Sequence, residues 1–204
     1  MRKFLTLFSA AALLATPALS HARGFDYDFS QAVNGPFKLE VVVSEELAHL
    51  ANNLPKKLSD RSRGNRFTGG LSNNGKYGER EIEILLKRMQ EKIARDFAKR
   101  DIQLSDSAAT LLRVTINEVK PNRPTFSQRS SEPSLSFLNL AIGGADVSAE
   151  IIAADGGVIG TADYDYFSRF GDPHLQGTVT WSDTHRAFAR FSKLLSKKLS
   201  RAST

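Results

Sequence analysis

The sequence predicts an α+β domain: an antiparallel or mixed β-sheet with a C-terminal hairpin and helices packed on one face. Three observations lead there. Residues 143–166, GGADVSAEIIAADGGVIGTADYDY, alternate with a period of two around a central turn. Residues 79–100 and 181–199 repeat their apolar side chains at helical spacing. Three strand-like segments follow one another late in the chain, which segregates sheet from helix.

The hairpin is the clearest element. Val147, Ala149, Ile151 and Ala153 fall on one side, and Asp146, Ser148 and Glu150 on the other, with Ile152 as the exception. After the turn, Val158, Ala162, Tyr164 and Tyr166 alternate with Thr161, Asp163 and Asp165. A period of two means one buried face and one wet face. Asp155-Gly156-Gly157 supplies residues that accept positive φ, as a tight hairpin requires.

Residues 1–22 read as an export signal. Arg2 and Lys3 precede the apolar run FLTLFSAAALLA, Pro17 breaks it, and Ser20-His21-Ala22 offers small residues at cleavage spacing. The cut falls after Ala22 or after Ser20. The run is about 12 residues, short of the roughly 20 that span a membrane. What remains is expected to be a periplasmic chain with no transmembrane span, long enough for one domain with a sizeable core. The sequence has no cysteine, so neither a disulfide nor an N-terminal lipid on cysteine is expected.

Residues 23–36 read as an N-terminal arm, with Phe25, Tyr27 and Phe29 alternating with Asp26 and Asp28, as in an edge strand. The single domain then covers residues 37–200. Phe37–Val43 is a strand with Phe37, Leu39, Val41 and Val43 on one face. Ser44 with Glu45-Glu46 starts a short helix through a hydroxyl cap and acids at the positive end of the dipole. Leu47, Leu50 and Leu54 form its stripe, and Pro55 ends it.

Residues 56–78 form a long basic loop rich in glycine. Gly70 to Lys76 matches the phosphate-loop pattern G-x-x-x-x-G-K. Tyr77 stands where that motif needs a magnesium-binding hydroxyl, and no apolar strand feeds the loop, so nucleotide binding is not expected. Arg61, Arg63, Arg66 and Lys76 are its candidate contacts for an anionic partner.

Residues 79–100 form the strongest helix, with Ile82, Leu85, Leu86, Met89, Ile93 and Phe97 in one stripe. Glu83 with Lys87 and Glu91 with Arg95 are pairs at i,i+4. Thr110–Lys120 is a strand with Leu112, Val114 and Ile116 on one side. A right-handed crossover through the helix would set it parallel to Phe37–Val43. Residues 121–136 form a second long loop containing Arg123 and Arg129, two further candidate contacts. The closing helix places Trp181, Phe188, Phe191, Leu195 and Leu199 near one face. Arg186, Arg190, Lys193 and Lys197 lie away from it.

The segments LLRVTINEVKPNRP, GGADVSAEIIAADGGVIGTADY and WSDTHRAFARF, in that order after a long amphipathic helix, resemble poorly characterised bacterial envelope proteins, many of them outer-membrane lipoproteins. The resemblance spans about residues 79–199. It implies an envelope location and assigns no catalytic residue. The lipoprotein cysteine of those relatives is missing here.

Chemistry is sparse. Asp163, Asp165, Asp172 and His174 could supply oxygen and imidazole ligands to a divalent metal in a hydrolase, but their spacing fits no defined site. No G-x-S-x-G elbow is present. The chain carries 28 Lys and Arg against 22 Asp and Glu, a net +6 that falls by two with the signal. That mild excess suits anionic envelope surfaces better than nucleic acid. The expected function is therefore non-catalytic and cofactor-free: binding an envelope protein, peptidoglycan or a glycolipid. The alternative is the metal-dependent hydrolase.

Overall fold

The structure, a computed structural model, describes residues 24–29, 35–52, 78–126, 129, 142–169 and 179–202. The elements named among these residues follow in the order β1 (Phe25–Phe29), β2 (Phe37–Val43), α1 (Glu45–Asn52), α2 (Glu79–Ala98), β3 (Thr110–Lys120), β4 (Gly144–Ile152), β5 (Val158–Phe167) and α3 (Ser182–Ala202). They form the α+β arrangement read from the sequence. The expected signal, residues 1–22, and most of the loops 56–78 and 121–136 lie outside the described residues.

The strands make one sheet in the order β1-β5-β4-β3-β2. β2 and β3 are parallel, Phe37 opposite Thr110, as a helical crossover dictates. The other pairs are antiparallel. The arm supplies one edge strand, with Phe25 opposite Tyr164. α2 and α3 pack on each other and on the sheet, α2 over β2 and α3 over β4 and β5.

The buried side follows the alternation. Leu112, Val114 and Ile116 of β3, Ala145, Val147, Ala149 and Ile151 of β4, and Ala162, Tyr164 and Tyr166 of β5 are all buried. They meet Leu85, Met89, Ile93 and Phe97 of α2 and Phe188, Phe191, Leu195 and Leu199 of α3 in a single core. Phe37 meets Phe97 edge-on at 6.3 Å, and Phe191 lies 6.1 Å from Phe25. Phe37, Phe97, Phe188 and Phe191 are the largest fully buried side chains, so the core is held mainly by apolar area taken from water.

One expected core position is corrected. Val158 is 53% exposed. Ile151 pairs with Gly160 while Ile152 pairs with Val158, so a bulge at Ile159 inserts one residue and turns Val158 to the wet face. The expected i,i+4 pairs of α2 also do not close, since neither Glu83–Lys87 nor Glu91–Arg95 is among the described ion pairs. Exposed long side chains gain little from such contacts.

The helix ends have local causes. The Ser44 hydroxyl accepts from the Leu47 amide at 3.2 Å, the cap expected for α1. α2 stops because Asp101 takes a φ of 57°. The amide of Ile102 returns to the Phe97 carbonyl at 3.1 Å and that of Asp101 to Ala98 at 3.4 Å, a Schellman closure made by aspartate instead of glycine.

Candidate functional site

Three surfaces could carry function. The first is the open face of the sheet. Cross-strand partners share a face, so the register lines up Asp28, Thr161, Glu150, Arg113 and Glu40 in one row and Asp26, Asp163, Ser148, Thr115 and Val42 in the next. Asp165 stands opposite Asp146. Arg113 Nε donates to Glu40 Oε2 at 2.7 Å, and this bond and its charge push the guanidinium pKa up. Asn117 donates to Asp146 at 3.1 Å and to Ser148 at 3.2 Å. The Asp163 carboxyl is pushed up, first by partial burial, then by the charges of Asp146, Asp26 and Glu150. Acids thus dominate this face toward β1.

The second is a buried polar junction where β3, the hairpin and α3 meet. Asn122 and Asp183 are 0% and 1% exposed. Asn122 Nδ2 donates to Asp183 Oδ2 at 2.6 Å, and the Asp183 amide donates back to Asn122 Oδ1 at 2.9 Å. Arg186 donates to the other carboxylate oxygen at 2.8 Å. The Thr184 hydroxyl donates to Gly144 O at 2.9 Å. Here two glycines are required by close approach. A Cβ on Gly143 would lie 2.5 Å from Asn122 Cγ, and one on Gly144 would overlap the Tyr166 carbonyl. Asn122 therefore caps α3 from across the sequence, and both oxygens of Asp183 are engaged in holding the fold.

The third is the outer face of the helices. On α3, Lys193, Lys197 and Arg201 are exposed at successive i,i+4 positions. Arg190 lies 5.0 Å from the Tyr166 ring. Lys198 donates to the Tyr27 hydroxyl at 2.7 Å, so it ties the arm to the helix. Arg186, expected on the outer face, instead turns to Asp183 and Tyr166, because the buried carboxylate needs a cation. Asp183 is the only acid of α3. The two faces of the domain thus differ in sign, acidic on the sheet and basic on α3.

The residues singled out from the sequence distribute as follows. Arg61, Arg63, Arg66, Lys76, Asp172 and His174 lie outside the described residues. Arg123 follows Asn122 and is half-buried, as is Arg129, whose amide donates to Thr125 O at 3.1 Å. Asp163 and Asp165 lie on the open face of β5. Among the described residues no three of His, Cys, Asp and Glu are placed to hold a metal ion, and no helix is long and apolar enough to cross a membrane.

Sequence reasoning missed a cleft between α2 and α3 lined by Arg88, Lys92, His185 and Phe188. Its one signal in the sequence is the like-charged i,i+4 pair Arg88 and Lys92 on α2.

No protein-family model and no curated protein matches the sequence. Among solved structures, the PelC dodecamer from Paraburkholderia phytofirmans aligns with a TM-score of 0.40 at 11% identity. It covers 85% of this chain and 96% of that one. A variant of the same dodecamer in another crystal form gives a TM-score of 0.38 at 12% identity, with the same coverage of each chain.

Proposed function

We propose that this chain is a non-catalytic, exported envelope protein that binds an anionic envelope component through its helical layer. The partner classes are a glycolipid, peptidoglycan or an acidic envelope protein. The carrying observation is the exposed row Lys193, Lys197 and Arg201 on a helix whose one acid is buried and engaged. The sequence features that support export are the basic start, the short apolar run and the small residues before Arg23. The resemblance to envelope proteins over residues 79–199 agrees with it.

The test is co-sedimentation of the mature chain with phosphatidylglycerol vesicles, with neutral vesicles and with purified peptidoglycan. Binding to an anionic target and not to the neutral one is expected. Each cation near an anionic surface contributes about 1 kcal/mol, so Lys193→Gln, Lys197→Gln and Arg201→Gln together should weaken binding roughly 100-fold. Binding within twofold of the parent for the triple variant would remove α3 from the proposal.

A further inference from the structure

The cleft between α2 and α3 encloses about 230 Å³. Arg88 and Lys92 stand one turn apart on α2, so their side chains lie on the same side of that helix. His185 and Phe188 face them from the first turns of α3. The Nε2 atom of His185 is buried, and no protein group among the described residues is within hydrogen-bonding reach of it. No described ion pair engages Arg88 or Lys92. Buried polar atoms are almost always paired, and an orphan costs about 1–3 kcal/mol.

The lining chemistry narrows what could relieve it. Guanidinium and ammonium are donors only, and imidazole can present Nε2–H as a third. A ligand must therefore bring acceptor oxygens. Two fixed positive charges match a dianion. Three donors from two helices match a tetrahedral group better than a carboxylate, whose two oxygens lie in one plane. The ring of Phe188 adds an apolar wall beside them. The His185 pKa is pushed down, first by burial and then by Arg88 and Lys92, so the same positive field that disfavours imidazolium favours an anion.

We propose that this cleft is a phosphate-binding site, with Arg88, Lys92 and His185 as its donors, occupied by inorganic phosphate or by the phosphate of a monoester. It is separate from the Lys193–Lys197–Arg201 row and does not depend on what that row binds.

The experiment follows the His185 imidazole resonances of the mature chain by NMR during titration with sodium phosphate, glycerol 3-phosphate or sodium acetate at constant ionic strength. Saturable movement with the first two is expected, with acetate at least tenfold weaker. Tighter glycerol 3-phosphate would assign an ester ligand in contact with Phe188, and tighter phosphate would assign the free ion. Arg88→Gln with Lys92→Gln should weaken phosphate about tenfold or more, from the loss of charge-assisted bonds. That variant must melt within a few degrees of the parent, since Arg88 is exposed and Lys92 is partly so. Lys193→Gln with Lys197→Gln should leave the affinity within twofold. Three results would overturn the proposal: no saturable shift, acetate as tight as phosphate, or equal weakening by the α3 variant, which would mark binding as general charge attraction. Should the double glutamine variant unfold, His185→Gln read by phosphate-induced thermal stabilisation decides instead, with stabilisation equal to the parent's counting against the site.

Discussion

Replacing Asn122 with alanine tests the junction on which the hairpin and the closing helix converge. The substitution removes two hydrogen bonds, to the Asp183 carboxylate at 2.6 Å and from the Asp183 amide at 2.9 Å. Both groups are buried, so neither regains water. A buried group left unpaired costs about 1–3 kcal/mol, more when it is charged. The loss of a helix cap is typically about 1 kcal/mol and is contained in that figure. Arg186 still holds the other oxygen, which keeps the carboxylate from full isolation. The expected loss is therefore about 3 kcal/mol, or roughly 6–12 °C in melting temperature for a domain of this size. Urea unfolding followed by circular dichroism measures it. Asp183→Ala should also destabilise, yet the double variant should lose clearly less than the two single losses together, because each single change strands the other partner. A loss below about 0.5 kcal/mol for Asn122→Ala, or strict additivity in the cycle, would refute the account.

Three further outcomes are expected. Gly144→Ala should abolish or severely lower stable expression, because its Cβ collides with backbone of the paired strand, whereas Gly156→Ala, with open space around it but a φ of 87°, should cost only about 1 kcal/mol in a thermal melt. Asp101→Gly should raise the melting temperature slightly and Asp101→Val should lower stability by about 1–2 kcal/mol, since the left-handed backbone there penalises a branched side chain. Asp163→Asn should stabilise the protein at pH 7 and not at pH 3. A carboxyl whose folded pKa is raised binds its proton more tightly in the native state, so native stability falls as pH rises from the unfolded value through the folded one. Solvent screening keeps that gain to a few tenths of a kcal/mol, and equal effects at both pH values would rule out the electrostatic cause.

The fold was legible where periodicity was unbroken. The α2 stripe and the alternation of β3 and β4 read directly from side-chain type, because burial on one side dictates it. Val158 was misplaced because a bulge changes phase without any change in composition. Asp101 was not seen as a helix terminator because its role lies in backbone conformation. Asp183 has no feature in the sequence that sets it apart from any acid at a helix start, and its partner Asn122 lies 61 residues away, where no local pattern could join them. The same holds for His185 with Arg88 and Lys92: the cleft exists only once two helices are packed side by side. The basic glycine-rich loop was prominent in composition, and its arginines lie outside the described residues.

The position of β1 sets an order of events. It is the first described strand in the chain and lies at one edge of the sheet, where among the described residues it pairs only with β5, Phe29 opposite Gly160. A chain made from its N-terminus delivers β1 well before the strand that receives it. β4 and β5 can zip together through the tight turn at residues 153–157 and β3 can join across residues 121–143, while the outer ladder must wait for most of the polypeptide and for α3, whose Lys198 fastens Tyr27. Closure of so long a loop adds little to the equilibrium cost but slows the search. Emergence and assembly therefore run in opposite directions. The leading segment has no strand to pair with until the chain is nearly complete, and its ladder with β5 is the final seam.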